Sequence, residues 1–232
     1  MNNRVILPVF LYVFVSSKCI FSETPDTVLN QSLAPFTKSY SMEGSLKRYQ
    51  LFKEKIQESA ATFKYDRKNG SCYRYTAPSK LDIFIHDSVQ YSIDPQKKTG
   101  FKFYYSSMPE LTDLDPVGRF FSYFGKRPDL NYSGSIDSTV IFHHTGSSGA
   151  IDFSAGIHRD RKRLDFIEFF NNKMLIQQVG FTYDKDNNLK TIVTRYLVGS
   201  ELLKDSIMLK YKTSDKSISP SSFSVPSGID WK

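Results

Sequence analysis

The chain has 232 residues, 40% of them hydrophobic and 15% aromatic, and carries a formal charge of +7. With 19 Phe, 14 Tyr and no internal repeat, it is excluded from the disordered and solenoid classes and is long enough for one sizeable β-rich core. Its basic residues are dispersed and no nucleic-acid motif accompanies them, so no nucleic-acid partner is expected.

In chain order, Met1-Asn2-Asn3-Arg4 is followed by the apolar run Val5 to Val15 and then by Ser16 and Ser17. A basic start, a greasy segment too short for the ~20 residues of a membrane span, and small residues behind it read as a secretory signal. Residues 1–22 are assigned to that signal, with cleavage after Ser17 or Ser22, and 23–232 to a single exported, soluble domain. Cys19 stands where a lipid could be attached, but Lys18 precedes it where a small residue is usual. Cys72, at a strand start, reads as a small buried hydrophobe, and a disulfide with Cys19 requires both to survive processing.

Pro25-Asp26 opens a short helical pattern with Val28, Leu29 and Leu33, which Pro35 is expected to end. Residues 45–57 fit either a helix or a long edge strand with lysines outward; the strand is chosen. Beyond residue 60, Phe63/Tyr65, Tyr73/Tyr75, Leu81/Ile83/Ile85, Val89/Tyr91/Ile93 and Phe101/Phe103/Tyr105 recur at every second position, the period of strands with one greasy face. Asn69-Gly70, Ser79-Lys80, Asp87-Ser88 and Asp94-Pro95 supply turns between them.

Residues 115–125 break this period. Asp115 can cap a helix, Pro116 fits its first position and Gly125 its end, while Val117, Phe120, Phe121 and Phe124 form one helical stripe. Strands resume at 139–142, 150–153, 164–170, 174–183, 189–198 and 206–211. About eleven strands against two or three helices give an α+β domain dominated by one antiparallel sheet.

No catalytic chemistry emerges, and the chain is not expected to be an enzyme. Gly146-Ser147-Ser148-Gly149 lacks the nucleophile-elbow pattern. His143 and His144 are adjacent, so a strand points them to opposite faces. His86 and His158 have no metal-spaced partner. Asp82, Asp87, Asp94, Asp113 and Asp115 sit beside turns and the helix start, where exposure or capping accounts for them. No cofactor and no metal are expected. Arg159, Arg161, Lys162 and Arg163, clustered around Asp160, read as a solvated loop or as a docking surface for a membrane complex or acidic headgroups.

The stretch "ATFKYDRKNGSCYRYTAPSKLDIFIHDSVQYSIDPQ" resembles the core of the outer-membrane lipoprotein carrier (LolA) family: Tyr73-Arg74-Tyr75 before Pro78, a strand from Ile83 to Asp87, and another from Val89 to Pro95. Phe223, Pro226 and Gly228 match a Phe-x-x-Pro-x-Gly pattern near the C-terminus. The likeness covers about residues 27 to 230 and is poor over 125–165. It implies an incomplete barrel, one curved antiparallel sheet with short helices covering its concave face. It further implies a monomeric periplasmic carrier that binds acylated lipoproteins and shuttles them from an inner-membrane lipoprotein-releasing ABC transporter to an outer-membrane acceptor. The acyl chains would meet Phe63, Tyr65, Tyr73, Tyr75, Ile83, Ile85, Tyr91, Phe103, Tyr105, Val117, Phe120, Phe121, Phe124 and Phe181. An Arg-Pro pair that latches the family's lid is replaced near Asn69-Gly70, leaving Arg67 as the latch candidate. The related acceptor (LolB-like) family, lipid-anchored through a cysteine such as Cys19, or a structural envelope protein of the same fold, is the alternative.

Overall fold

The computed structural model describes residues 23–86, 88–104, 115–126, 128–144, 152–198 and 201–232. Residues 1–22, expected to be a signal and containing Cys19, and also Tyr105, Asp87, Asp113, Ser147 and Ser148, lie outside the described residues.

The chain runs α1 (Pro25–Lys38), β1 (Ser41–Phe52), β2 (Lys55–Asp66), β3 (Gly70–Ala77), β4 (Leu81–His86), β5 (Val89–Asp94) and β6 (Thr99–Tyr104), followed by α2 (Gly118–Gly125). The second half comprises β7 (Asn131–Ile136), β8 (Thr139–His144), β9 (Asp152–His158), β10 (Arg163–Asn171), β11 (Met174–Tyr183), β12 (Leu189–Val198) and β13 (Glu201–Ser214). A 3-10 turn (Pro220–Phe223) and the short β14 (Asp230–Trp231) close it. Among the described residues, all strands join one 14-stranded sheet in the order β14-β6-β5-β4-β3-β2-β1-β13-β12-β11-β10-β9-β8-β7. Every pairing is antiparallel except that of β14 with β6. The sheet does not close, so β14 and β7 are its edges and the architecture is the incomplete barrel expected.

Three details differ from the sequence reading. Residues 45–57 are extended, but they form two strands joined at Lys53-Glu54, both at positive φ (47° and 63°), and these lie at the centre of the sheet. Their lysines mark an outward face and a turn, features that a central strand shares with an edge. Helix α1 does not stop at Pro35 but continues to Lys38. Pro35 removes one helical donor and crowds the preceding turn, but burial of Phe36, 1% exposed, holds the last turn in place. β7 and β14 add two strands beyond the sequence pattern: Asn131-Tyr132-Ser133-Gly134-Ser135-Ile136 has turn composition and irregular pairing at Tyr132/Gly134, and β14 is too short to show a period.

The two faces of the sheet pack differently. On the inner face, Met42, Leu46, Phe63, Tyr65, Tyr73, Val179, Phe181 and Ile192 join the buried side chains of both helices in the main core. On the outer face, Cys72, Phe84 and Ile93 form a smaller cluster with Phe223, and Tyr91, Val225, Ile229 and Trp231 pack against it. The C-terminal segment therefore clasps the outside of β3–β6. Asp66 anchors this clasp: its carboxylate accepts from the backbone N–H of Lys68, Asn69 and Ile218 and from Ser217 Oγ.

Candidate functional site

The helix that the Asp115-to-Gly125 pattern predicts covers the inner face. Asp115 Oδ1 accepts from the Gly118 N–H at 2.9 Å, and the Tyr73 hydroxyl accepts from the N–H of Val117 and Gly118 at 3.2 and 3.3 Å. The same hydroxyl donates to Asp115, whose other oxygen accepts from Ser71 Oγ. Side chains of β3 thus satisfy the orphan donors of the helix start and fasten it to the sheet. Burial pushes the Asp115 carboxyl above the ordinary range, against the pull of its three hydrogen bonds and Arg119. Burial, reinforced by Asp115, likewise raises the Tyr73 phenol.

From this start the stripe faces inward: Val117, Phe120, Phe121 and Phe124 are fully buried. Phe120 meets Phe181 edge-on at 5.1 Å, Phe121 lies 6.1 Å from Tyr65 and 6.3 Å from Tyr211, and Phe36 of α1 touches Phe121 and Phe124 at 5.0 and 5.3 Å. These aromatics are packed on one another, and the helices occupy the inner face in this structure.

Arg67, the latch candidate, follows β2. Its Nη2 donates to the carbonyls of Phe36, Thr37 and Ser39 at 3.0, 3.1 and 2.9 Å, where the end of α1 leaves acceptors without helical partners. A methyl on Gly125, the last residue of α2, would stand 3.1 Å from the same nitrogen. One guanidinium therefore sits where both helices end against the sheet.

The structure brings Phe63, Tyr65, Tyr73, Val117, Phe120, Phe121, Phe124 and Phe181 into one buried cluster, with Tyr75, Ile83 and Ile85 partly buried against it. Tyr91 does not belong with them. It pairs with Phe84 on the outer face, and the inner positions of β5 are Gln90 and Ser92. Alternation separates two faces of a strand without saying which one is covered, and β4 carries the apolar Phe84 on its outer face. Phe103 pairs with Gln90 on the inner face and is 49% exposed, as is its neighbour Phe101 at 50%, so β6 extends the apolar floor beyond the helices.

The basic cluster is largely engaged within the chain. Arg159 donates to Ser135 Oγ, Lys162 pairs with Glu23, Arg163 lies over the Tyr183 ring at 5.2 Å, and Arg161 is exposed. Sequence reasoning missed the buried ion pair of Arg48 and Asp205, whose Nε–Oδ distances are 2.9 and 3.0 Å. Only the β1–β13 register, which sets position 48 near position 205 across 157 residues, brings them together. Among the described residues no group of His, Cys, Asp and Glu is arranged to hold a metal ion, and no helix is long and apolar enough to cross a membrane.

Comparison of the sequence with protein-family models and with curated proteins gives no match. Comparison of the structure does. A LolA superfamily protein from Nitrosomonas europaea superposes with a TM-score of 0.62 at 12% identity, over 88% of this chain and 98% of the other. A DUF1329 family protein from Desulfovibrio piger gives 0.62 at 11% identity, over 86% and 96%. An outer membrane lipoprotein-sorting protein domain from Vibrio parahaemolyticus gives 0.57 at 9%, over 84% and 94%. The fold is that of LolA superfamily proteins and lipoprotein-sorting domains.

Proposed function

We propose that this protein is a carrier that takes the acyl chains of lipoproteins between its inner sheet face and its two helices, and moves them through the periplasm from an inner-membrane ABC transporter to an outer-membrane acceptor. The observation that carries this reading is an apolar cover made of separate short helices. Two short helices are held on a large aromatic sheet face by side-chain contacts, with Arg67 at one end and Tyr73–Asp115 at the other.

Magnitudes support displacement of the cover by cargo. Burying Val28, Leu33 and Phe36 of α1 with the four apolar residues of the 117–124 stripe contributes about 10–20 kcal/mol at roughly 1.5–3 per side chain. A sixteen-carbon chain brings around 12 kcal/mol at ~0.8 per CH₂, so a lipid with three such chains outweighs the cover even after ordering costs. Dispersion contacts with aromatic walls do not discriminate between chains, which suits varied cargo. The half-exposed Phe101 and Phe103 offer a first apolar foothold beside the cover.

The test is binding of a synthetic triacylated lipopeptide, measured by co-elution on size exclusion, with the deacylated peptide as control. The wild-type protein should retain only the acylated form. Arg67→Leu should bind it more tightly, because losing charge-assisted bonds worth about 1.5–3 kcal/mol each removes the competing closed state. Failure of both proteins to retain the lipopeptide would reject the carrier reading.

A further inference from the structure

We infer that the outer face of the sheet carries a second binding site, a groove for a phosphate-bearing ligand centred on Ser45 and Thr62 and flanked by Lys210 and Arg74. This site is independent of the acyl-binding proposal and lies on the other side of the sheet. Phe63 and Tyr65 point inward to the helices, so Thr62 and Lys64, their strand neighbours, point outward.

A cavity of about 590 Å³ opens there, within the size range of small-ligand pockets. Its floor is built by register. Lys210 pairs with Ser45, Ser45 with Thr62, and Thr62 with Arg74, giving one straight rung across β13, β1, β2 and β3. Two hydroxyls thus stand at the middle of the rung and a long cationic side chain at each end. Three strand spacings of ~4.8 Å separate those ends, so both cations can lean inward over the hydroxyls. All four side chains belong to exposed residues and line the cavity.

The next rung sets the charge balance. Lys212 pairs with Glu43 and Glu43 with Lys64, so the single carboxylate among the lining residues is flanked in register by two lysines. Four cations line the cavity against Glu43, and Asp82, the register partner of Arg74 on the next strand, offsets one more, which still leaves the cavity positive. One wall is fixed: Lys64 Nζ donates to Ser222 Oγ at 3.3 Å, and Phe223, buried in the outer cluster, anchors the turn bearing Ser222. Hydroxyl and ammonium donors lining one cavity suit a tetrahedral oxyanion, and Arg74 adds a planar fork suited to phosphate. The same chemistry is offered by a free phosphate ester and by an anionic phospholipid headgroup, but not by phosphatidylcholine, whose own ammonium neutralises its phosphate.

The experiment titrates the full mature chain with sn-glycerol 3-phosphate by calorimetry at constant ionic strength, and in parallel floats it with phosphatidylglycerol vesicles, using phosphatidylcholine vesicles as control. Saturable binding to either phosphate source is expected, and the arm that gives it identifies the source. The double variant Lys210→Ala/Arg74→Ala should weaken binding about tenfold or more for each cation removed. Lys210→Arg should retain binding, and Thr62→Val should weaken it without altering charge. Lipopeptide co-elution should be the same in all these variants, which separates failure here from failure of the carrier reading. The proposal is overturned if neither source gives saturable binding, if the double variant binds as well as wild type, or if phosphatidylcholine vesicles bind equally.

Discussion

At the scale of single residues, two hydrogen-bonded carboxylates, Asp66 and Asp115, are shifted in opposite directions. Burial alone would raise the Asp66 carboxyl, but four hydrogen bonds outweigh it and hold it below the ordinary range. Asp66 therefore adds stability at neutral pH that is lost as the pH falls through its folded value. Asp115 shifts upward, so the folded protein binds its proton more readily than the unfolded chain does. Stability tied to Asp115 should therefore rise as the pH falls from neutral towards ~4, the ordinary carboxylate range. Urea unfolding across that window should show a smaller gain at low pH for Asp115→Asn than for the wild type; parallel curves would remove Asp115 as the titrating group. The sequence marked Asp115 as a cap because an Asp-Pro pair before an apolar stripe is a local signal. Its second partner, the Tyr73 hydroxyl, was hidden, since nothing in a strand's alternation shows that a tyrosine tip will accept from a distant helix. Arg67 was visible only by its place next to a family pattern, because its acceptors exist only when α1 continues past Pro35.

At the scale of elements, α2 depends on how closely its first turn approaches the sheet. A methyl at Gly118 would lie 2.2 Å from Ser71 Oγ, 2.5 Å from Asp115 Oδ2 and 2.8 Å from Tyr65 Cδ2. Gly118→Ala should break the Ser71–Asp115–Tyr73 connection and destabilise the protein by about 1–3 kcal/mol, the usual range for overpacking. Binding of an apolar dye should rise as the phenylalanine stripe loosens from the sheet. An unchanged melting temperature and unchanged dye signal would show that the start of α2 is not held there. The stripe itself was legible, since helical spacing of four apolar residues is a strong periodic signal. Which sheet residues it would meet was not, because Phe181 and Tyr211 belong to the second half of the sheet, which joins the first only through the long-range pairing of β1 with β13.

At the scale of the whole molecule, the sequence displayed most strands and the cover but neither the central place of β1 and β2 nor the outer clasp. Period two reports that a strand has a greasy side; sheet order follows from β1 pairing with both β2 and β13, a contact across most of the chain. The clasp has its own consequence for Cys72, a buried free thiol whose pKa burial raises. Phe223→Ala should open space above it, at a cost of about 3–5 kcal/mol, and convert an inert thiol into one that reacts with a disulfide reagent under native conditions. Equal reaction rates in mutant and wild type would mean that the clasp does not shield it. Trp231, the only tryptophan, belongs to this same side: it pairs through β14 with β6, meets Tyr91 at 5.7 Å and lies under the Lys102 ammonium at 4.5 Å. Intrinsic indole emission is therefore a gauge of how the chain's tail is seated. Events on the opposite face need a reporter introduced there.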